Sequence, residues 1–123
     1  MWICFNDGFL SIVPRGHELL LRARKRSHLA AFLTPQYEYR IQHTPERDYH
    51  WRALLPRGNV AALVERRVRS MDYGSGINYT GFKASVKEDA LLHMYLNWWR
   101  DHERYQRREE EEWESWKAAD SRR

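Results

Sequence analysis

Residues 19–24 alternate with period two: Leu19, Leu21 and Ala23 fall on one side of an extended chain, and Leu20, Arg22 and Arg24 on the other. Two later stretches repeat the scheme. Tyr37, Tyr39 and Ile41 alternate with Glu38, Arg40 and Gln42, while Tyr49, Trp51, Ala53 and Leu55 alternate with His50, Arg52 and Leu54. Strands of this kind in one sheet present an apolar face and a face carrying Arg22, Arg24, Arg40 and Arg52. Ahead of them, Trp2–Phe5 and Phe9–Val13 flank Asp7-Gly8, a pair suited to a type I′ hairpin turn, which needs positive φ. Phe9–Val13 is apolar at both parities, so it is expected to be covered on both faces or to lie centrally. Pro14-Arg15-Gly16 is the next turn signal, and the first 24 residues therefore predict a three-stranded meander. A second hairpin is predicted from Tyr37–Gln42 and Tyr49–Leu55 around the polar turn 44–48.

Helical spacing fills the intervals. Ser27 is positioned to cap a short helix over His28–Leu33, with Leu29, Phe32 and Leu33 inward and Thr34-Pro35 at its end. Asn59 is placed to cap a second, whose Val60, Leu63, Val64, Val68 and Met71 form one stripe. Arg66, Arg67 and Arg69 crowd its last turns, where they complement the helix dipole, the reading preferred to a phosphate site. Asp72–Lys83 reads as a loop with Gly74, Gly76, Gly81, Tyr73 and Tyr79; Gly-Ser-Gly there follows a helix rather than a strand, so it is a poor phosphate loop and a better partner-contacting one. Ser85-Val86-Lys87-Glu88 has the form of a capping box opening a long helix, with Leu91, Tyr95, Trp98 and Tyr105 on one face. Its far end pairs charges at i,i+4, Arg107 with Glu111 and Arg108 with Glu112, and sets Trp113 and Trp116 in an otherwise charged run. Those tryptophans are expected to meet protein: the body, a second copy or a target. The expected class is α+β, an antiparallel sheet of about five strands with helices mainly on one face and a long C-terminal helix. The expected division is residues 1–99 as one α+β domain and 100–123 as a charged helical extension.

Charge sharpens that division. Residues 100–123 hold 8 acidic and 7 basic side chains, whereas residues 1–99 hold 9 acidic and 14 basic, so the body is basic and the tail nearly balanced. Arg outnumbers Lys 17 to 4, which suits bidentate contact with phosphate or carboxylate and equally suits a GC-rich coding sequence. A single cysteine, Cys4, rules out an internal disulfide; among Trp2, Ile3 and Phe5 it reads as a small core residue in a reducing compartment. No leader peptide and no run of about 18 apolar residues is seen, so a cytoplasmic protein without membrane contact is expected.

Catalytic and metal chemistry find no support. The six histidines are scattered without short-spaced pairs, and Ser11 and Ser27 lack a nucleophile-elbow context. Neither an enzyme nor a cofactor is expected, and the candidate binding residues are Arg22, Arg24, Arg40, Arg52, Tyr73, Tyr79, Trp113 and Trp116. An arginine-bearing sheet face fits nucleic acid or an acidic protein surface.

The order Met1-Trp2-Ile3, Asp7-Gly8-Phe9, Arg22-Ala23-Arg24, Asp48-Tyr49 with Arg52, Asp72-Tyr73, Gly81-Phe82-Lys83 and Tyr95 with Trp98 resembles a family of small bacterial and phage proteins that has no assigned function as a whole. The resemblance covers roughly residues 1–99; the Gly74–Thr80 stretch looks like an insertion and the charged tail an addition. It implies a phage or mobile-element setting inside a host cell. By analogy, the expected activity is non-enzymatic inhibition of a host defence protein or nucleoprotein complex, of anti-CRISPR type, as a mimic of or competitor for nucleic acid. A direct nucleic-acid-binding module is the alternative, and a homodimer through the C-terminal helix a further expectation.

Overall fold

The alternating stretch around Leu21 becomes the middle strand of a sheet. The computed structural model of the chain describes residues 1–72 and 78–123, without the side chains of 78–81. Strands β1 (Trp2–Phe5), β2 (Gly8–Arg15), β3 (Glu18–Ala23), β4 (Gln42–His43) and β5 (Trp51–Pro56) form one antiparallel sheet in the order β1-β2-β3-β5-β4. Helices α1 (Arg26–Tyr37), α2 (Arg57–Arg69), α3 (Asn78–Ser85) and α4 (Asp89–Asp120) complete the α+β architecture. The sheet lies in one compact unit, Met1–Glu88; α4 makes up most of the second, Asp89–Arg123.

Register explains the core. Ile12 faces Leu21 and Leu21 faces Ala53, while Leu19 faces Leu55, so one face of the sheet is aliphatic across three strands. Leu29, Phe32 and Leu33 of α1 and Val60 and Leu63 of α2 close over it. The α2 stripe is only half used: Val68 and Met71 stay exposed. The other face is not bare either, since Phe9, Ser11 and Leu20 are buried on it, in keeping with the double apolar parity of β2.

The turns differ in detail from expectation. Asn6 and Asp7 form the β1–β2 turn, and Gly8 opens β2 without positive φ. Its glycine is required by proximity instead: a Cβ there would lie 2.8 Å from His28 Cβ and 2.9 Å from His28 Cα. Gly16, with φ of 62°, takes the first turn position of the β2–β3 hairpin, as a type II′ turn demands.

Several predicted helix ends move. Lys25 rather than Ser27 precedes α1. Thr34-Pro35 redirects α1 instead of ending it: Thr34 adopts φ 65°, ψ 164°, and Pro35 opens a new turn, where a missing N–H is harmless. The chain therefore continues as helix through Tyr37 and as a 3₁₀ turn over Glu38–Arg40, so the strand predicted over Tyr37–Gln42 shrinks to β4. Asn59 does not cap α2, which Pro56 precedes; its Nδ2 donates to the Tyr37 hydroxyl at 2.9 Å, joining α2 to the end of α1. The predicted loop Asp72–Lys83 is helical from Asn78 onward as α3. Ser85 closes α3, donating from Oγ to the Phe82 carbonyl at 2.6 Å, and Glu88 turns to α1, so no capping box forms. Cys4 is exposed, because it shares the Trp2 side of the edge strand β1 rather than the Ile3 and Phe5 side that packs on the core.

Candidate binding site

Arg22 of β3 and Arg52 of β5 stand directly opposite one another in the register. Like charges so placed repel, and the surrounding groups explain how this pair is held. Arg22 donates from Nη2 to Ser11 Oγ at 2.8 Å, Ser11 being its cross-strand neighbour on β2. Arg52 donates from Nη2 to Asp48 Oδ1 at 3.0 Å and from Nε to the Tyr49 carbonyl at 3.3 Å. Arg24, one residue past β3, donates from Nη1 to the Asp48 carbonyl at 2.7 Å.

The centre of the cluster is Tyr49. This residue is 6% exposed, and the guanidinium carbons of Arg22 and Arg24 lie 4.6 and 4.4 Å from its ring centroid, within cation–π range. Sequence parity assigns Tyr49 to the core side with Trp51. It lies instead among the arginines, because residues 44–50 are a turn, and strand alternation begins only at Trp51. Thr44 organises that turn: its N–H donates to the His50 carbonyl at 2.6 Å and its hydroxyl to the Tyr49 carbonyl at 3.1 Å. Trp51 itself keeps the predicted side, half-buried against the core and stacked on His43 at 4.1 Å.

Of the predicted arginines, Arg22, Arg24 and Arg52 meet and Arg40 does not. Arg40 sits on the 3₁₀ turn beside exposed Tyr39, 5.3 Å from its ring centroid, because the strand that would have carried it begins only at Gln42. Tyr73 and the 74–76 glycine segment lie outside the described residues, as does the side chain of Tyr79. Trp113 and Trp116 are 54% and 58% exposed on α4, stacked on each other at 5.1 Å with 13° between their planes. Arg107 pairs with Glu103 instead of Glu111, at 3.9 Å. Ser11, Asp48 and Tyr49 are not among the predicted site residues; one sequence signal for Asp48 is its position four before Arg52.

A second polar cluster holds the Val86–Glu88 stretch. The register places residue 24 opposite Phe9, just beyond the end of β3. There the Phe9 N–H donates to His28 Nδ1 at 3.4 Å. That assignment leaves the imidazole proton on Nε2, which donates to Glu88 Oε2 at 3.1 Å, and Lys25 Nζ donates to Glu88 Oε1 at 2.6 Å. Both imidazole nitrogens are thus engaged structurally.

Arg67, read from sequence as a helix-dipole partner, also has a tertiary role. Its guanidinium is bidentate to the Asp7 carboxylate at 2.9 and 3.0 Å, donates to the Ala31 carbonyl at 3.0 Å, and lies 4.8 Å from the Phe5 ring centroid.

Two carboxylates are held below their ordinary pKa. The hydrogen bond from Lys25, with that of His28, holds Glu88 below its ordinary pKa. The Tyr49 N–H, with the charges of Arg22 and Arg52, does the same to Asp48. A depressed folded pKa contributes stability above the unfolded value, lost as pH falls through the folded one. Denaturant titrations should therefore show stability declining below about pH 4, with a shallower decline in Glu88→Gln/Asp48→Asn; an unchanged slope would assign the acid sensitivity elsewhere.

Among the described residues no group of His, Cys, Asp and Glu is placed to hold a metal ion, and no helix is long and apolar enough to cross a membrane. The arginine cluster offers recognition chemistry: three guanidiniums against one carboxylate, with Arg24 exposed and able to grip a carboxylate or phosphate. Comparison with protein-family models, with curated proteins and with solved structures returns no match.

Proposed function

We propose that this chain is a non-enzymatic binding protein of phage type that docks its arginine–tyrosine cluster on an acidic surface of a host nucleic-acid-handling complex, acting as an anti-CRISPR-like inhibitor. The supporting observation is that Arg22 and Arg24 both stack on the buried ring of Tyr49. Guanidiniums fixed in this way lose less freedom on binding than free side chains do. A protein surface is preferred to bare nucleic acid because Arg22 and Arg52 are already bonded to Ser11 and Asp48. Only Arg24 of the three is exposed, and strong phosphate binding calls for several such contacts.

Expression in cells with active CRISPR interference should raise the plating efficiency of a targeted phage, and Arg24→Glu should remove that protection while leaving the melting temperature within a few degrees. Fluorescence anisotropy with short duplex DNA and single-stranded RNA should show weak binding and a log–log salt slope of about 1 or less. A slope several times steeper would favour the nucleic-acid module. Absence of protection in every interference system tried, or full protection by Arg24→Glu, would remove this reading.

A further inference from the structure

We propose that α4 pairs antiparallel with α4 of a second copy of this chain, in the register that sets His102 opposite the partner's Glu112 and Tyr105 opposite the partner's Glu109. His102, Tyr105, Glu109, Glu112 and Trp116 recur at steps of three and four, so they form a single stripe on the 32-residue helix, with Trp113 at its margin. The stripe is exposed: Tyr105 is 69% accessible, and more than half of each tryptophan stays accessible even though the two stack on each other. It has the three-and-four spacing of a two-helix seam, yet its middle is held by two glutamates.

Charge selects the occupant and its direction. Residues 100–108 carry Arg100, Arg104, Arg107 and Arg108 against Asp101 and Glu103, a net of +2, and residues 109–114 carry Glu109–Glu112 and Glu114 with no basic residue, a net of −5. A parallel second copy would lay Glu109 on Glu109 and Glu112 on Glu112, a costly juxtaposition of like charges. An antiparallel copy centred near Arg107 lays the basic block on the acidic one. Each seam glutamate then meets a donor, the imidazole of His102 or the hydroxyl of Tyr105. The same register brings Trp113 near the partner's Trp99, which is 48% exposed, so the aromatic ends also find apolar partners. The overlap from the tryptophan pair to its symmetry mate spans about 19 residues, roughly 28 Å of helix.

Sedimentation equilibrium of the full chain, from about 1 to 100 μM, should report a monomer–dimer equilibrium. His102→Glu sets glutamate against glutamate at both symmetric contacts and should weaken association by about tenfold or more. Adding Glu112→Lys should restore it, because the introduced glutamate then faces the introduced lysine only when the helices run antiparallel. Far-UV circular dichroism of each variant separates a broken interface from an unwound helix. A wild-type chain that stays monomeric throughout, a higher oligomer, or a double variant no tighter than His102→Glu would each overturn the proposal.

Discussion

Phe32→Ala is expected to destabilise the protein by about 3–5 kcal/mol, the ordinary range for truncating a large core aromatic. Phe32 is 1% exposed and belongs to the core cluster between α1 and the sheet. Its ring stacks on Phe5 at 5.4 Å, and the far end of that contact is the Arg67 guanidinium, which grips Asp7 and the Ala31 carbonyl. The truncation therefore opens a cavity and also loosens the joint between the β1–β2 hairpin, α1 and α2. The melting temperature should fall by roughly 10–25 °C. A loss below about 1 kcal/mol in urea unfolding would mean that the ring is not packed as described.

Tyr49→Ala should have a similar effect, about 3–5 kcal/mol, for a different reason. Burial of the ring supplies most of it. Two guanidinium contacts, from Arg22 and Arg24, add about 0.5–1 kcal/mol each. Tyr49→Phe keeps the ring and should stay within about 0.5 kcal/mol of the parent. Equal losses in the two variants would assign the stability to the hydroxyl and remove the stacked cluster as the organising feature. The Arg24 contact gives a second readout: Tyr49→Ala should also lose phage protection at temperatures where it remains folded.

Periodicity was enough, with the turn signals Asp7-Gly8 and Pro14-Arg15-Gly16, for the meander β1–β2–β3, and by itself for the inward faces of α1 and β5, for the start of the α2 stripe and for the long C-terminal helix. Each is a local pattern in which burial on one side repeats every two or every three to four residues, and Leu21, Phe32, Leu55 and Leu63 are buried where that pattern puts them. The meeting of Arg22, Arg24 and Arg52 was also legible, because strand parity carries side chains to a face.

Other features depended on contacts distant in sequence. Period two could not show that Tyr37–Arg40 would be helical, since the left-handed Thr34 lets Pro35 begin a new turn, and Arg40 left the site with that change. Tyr49 joined the arginines because the Thr44 turn releases it from strand alternation. Gly8 is glycine because His28, twenty residues later, approaches its backbone. Glu88 left a capping pattern because Lys25 and His28 offered a charge and a donor across some sixty residues. Local sequence specifies which face a residue takes within a helix or strand; where turns end and which polar groups become partners is set by what tertiary packing brings within hydrogen-bond reach.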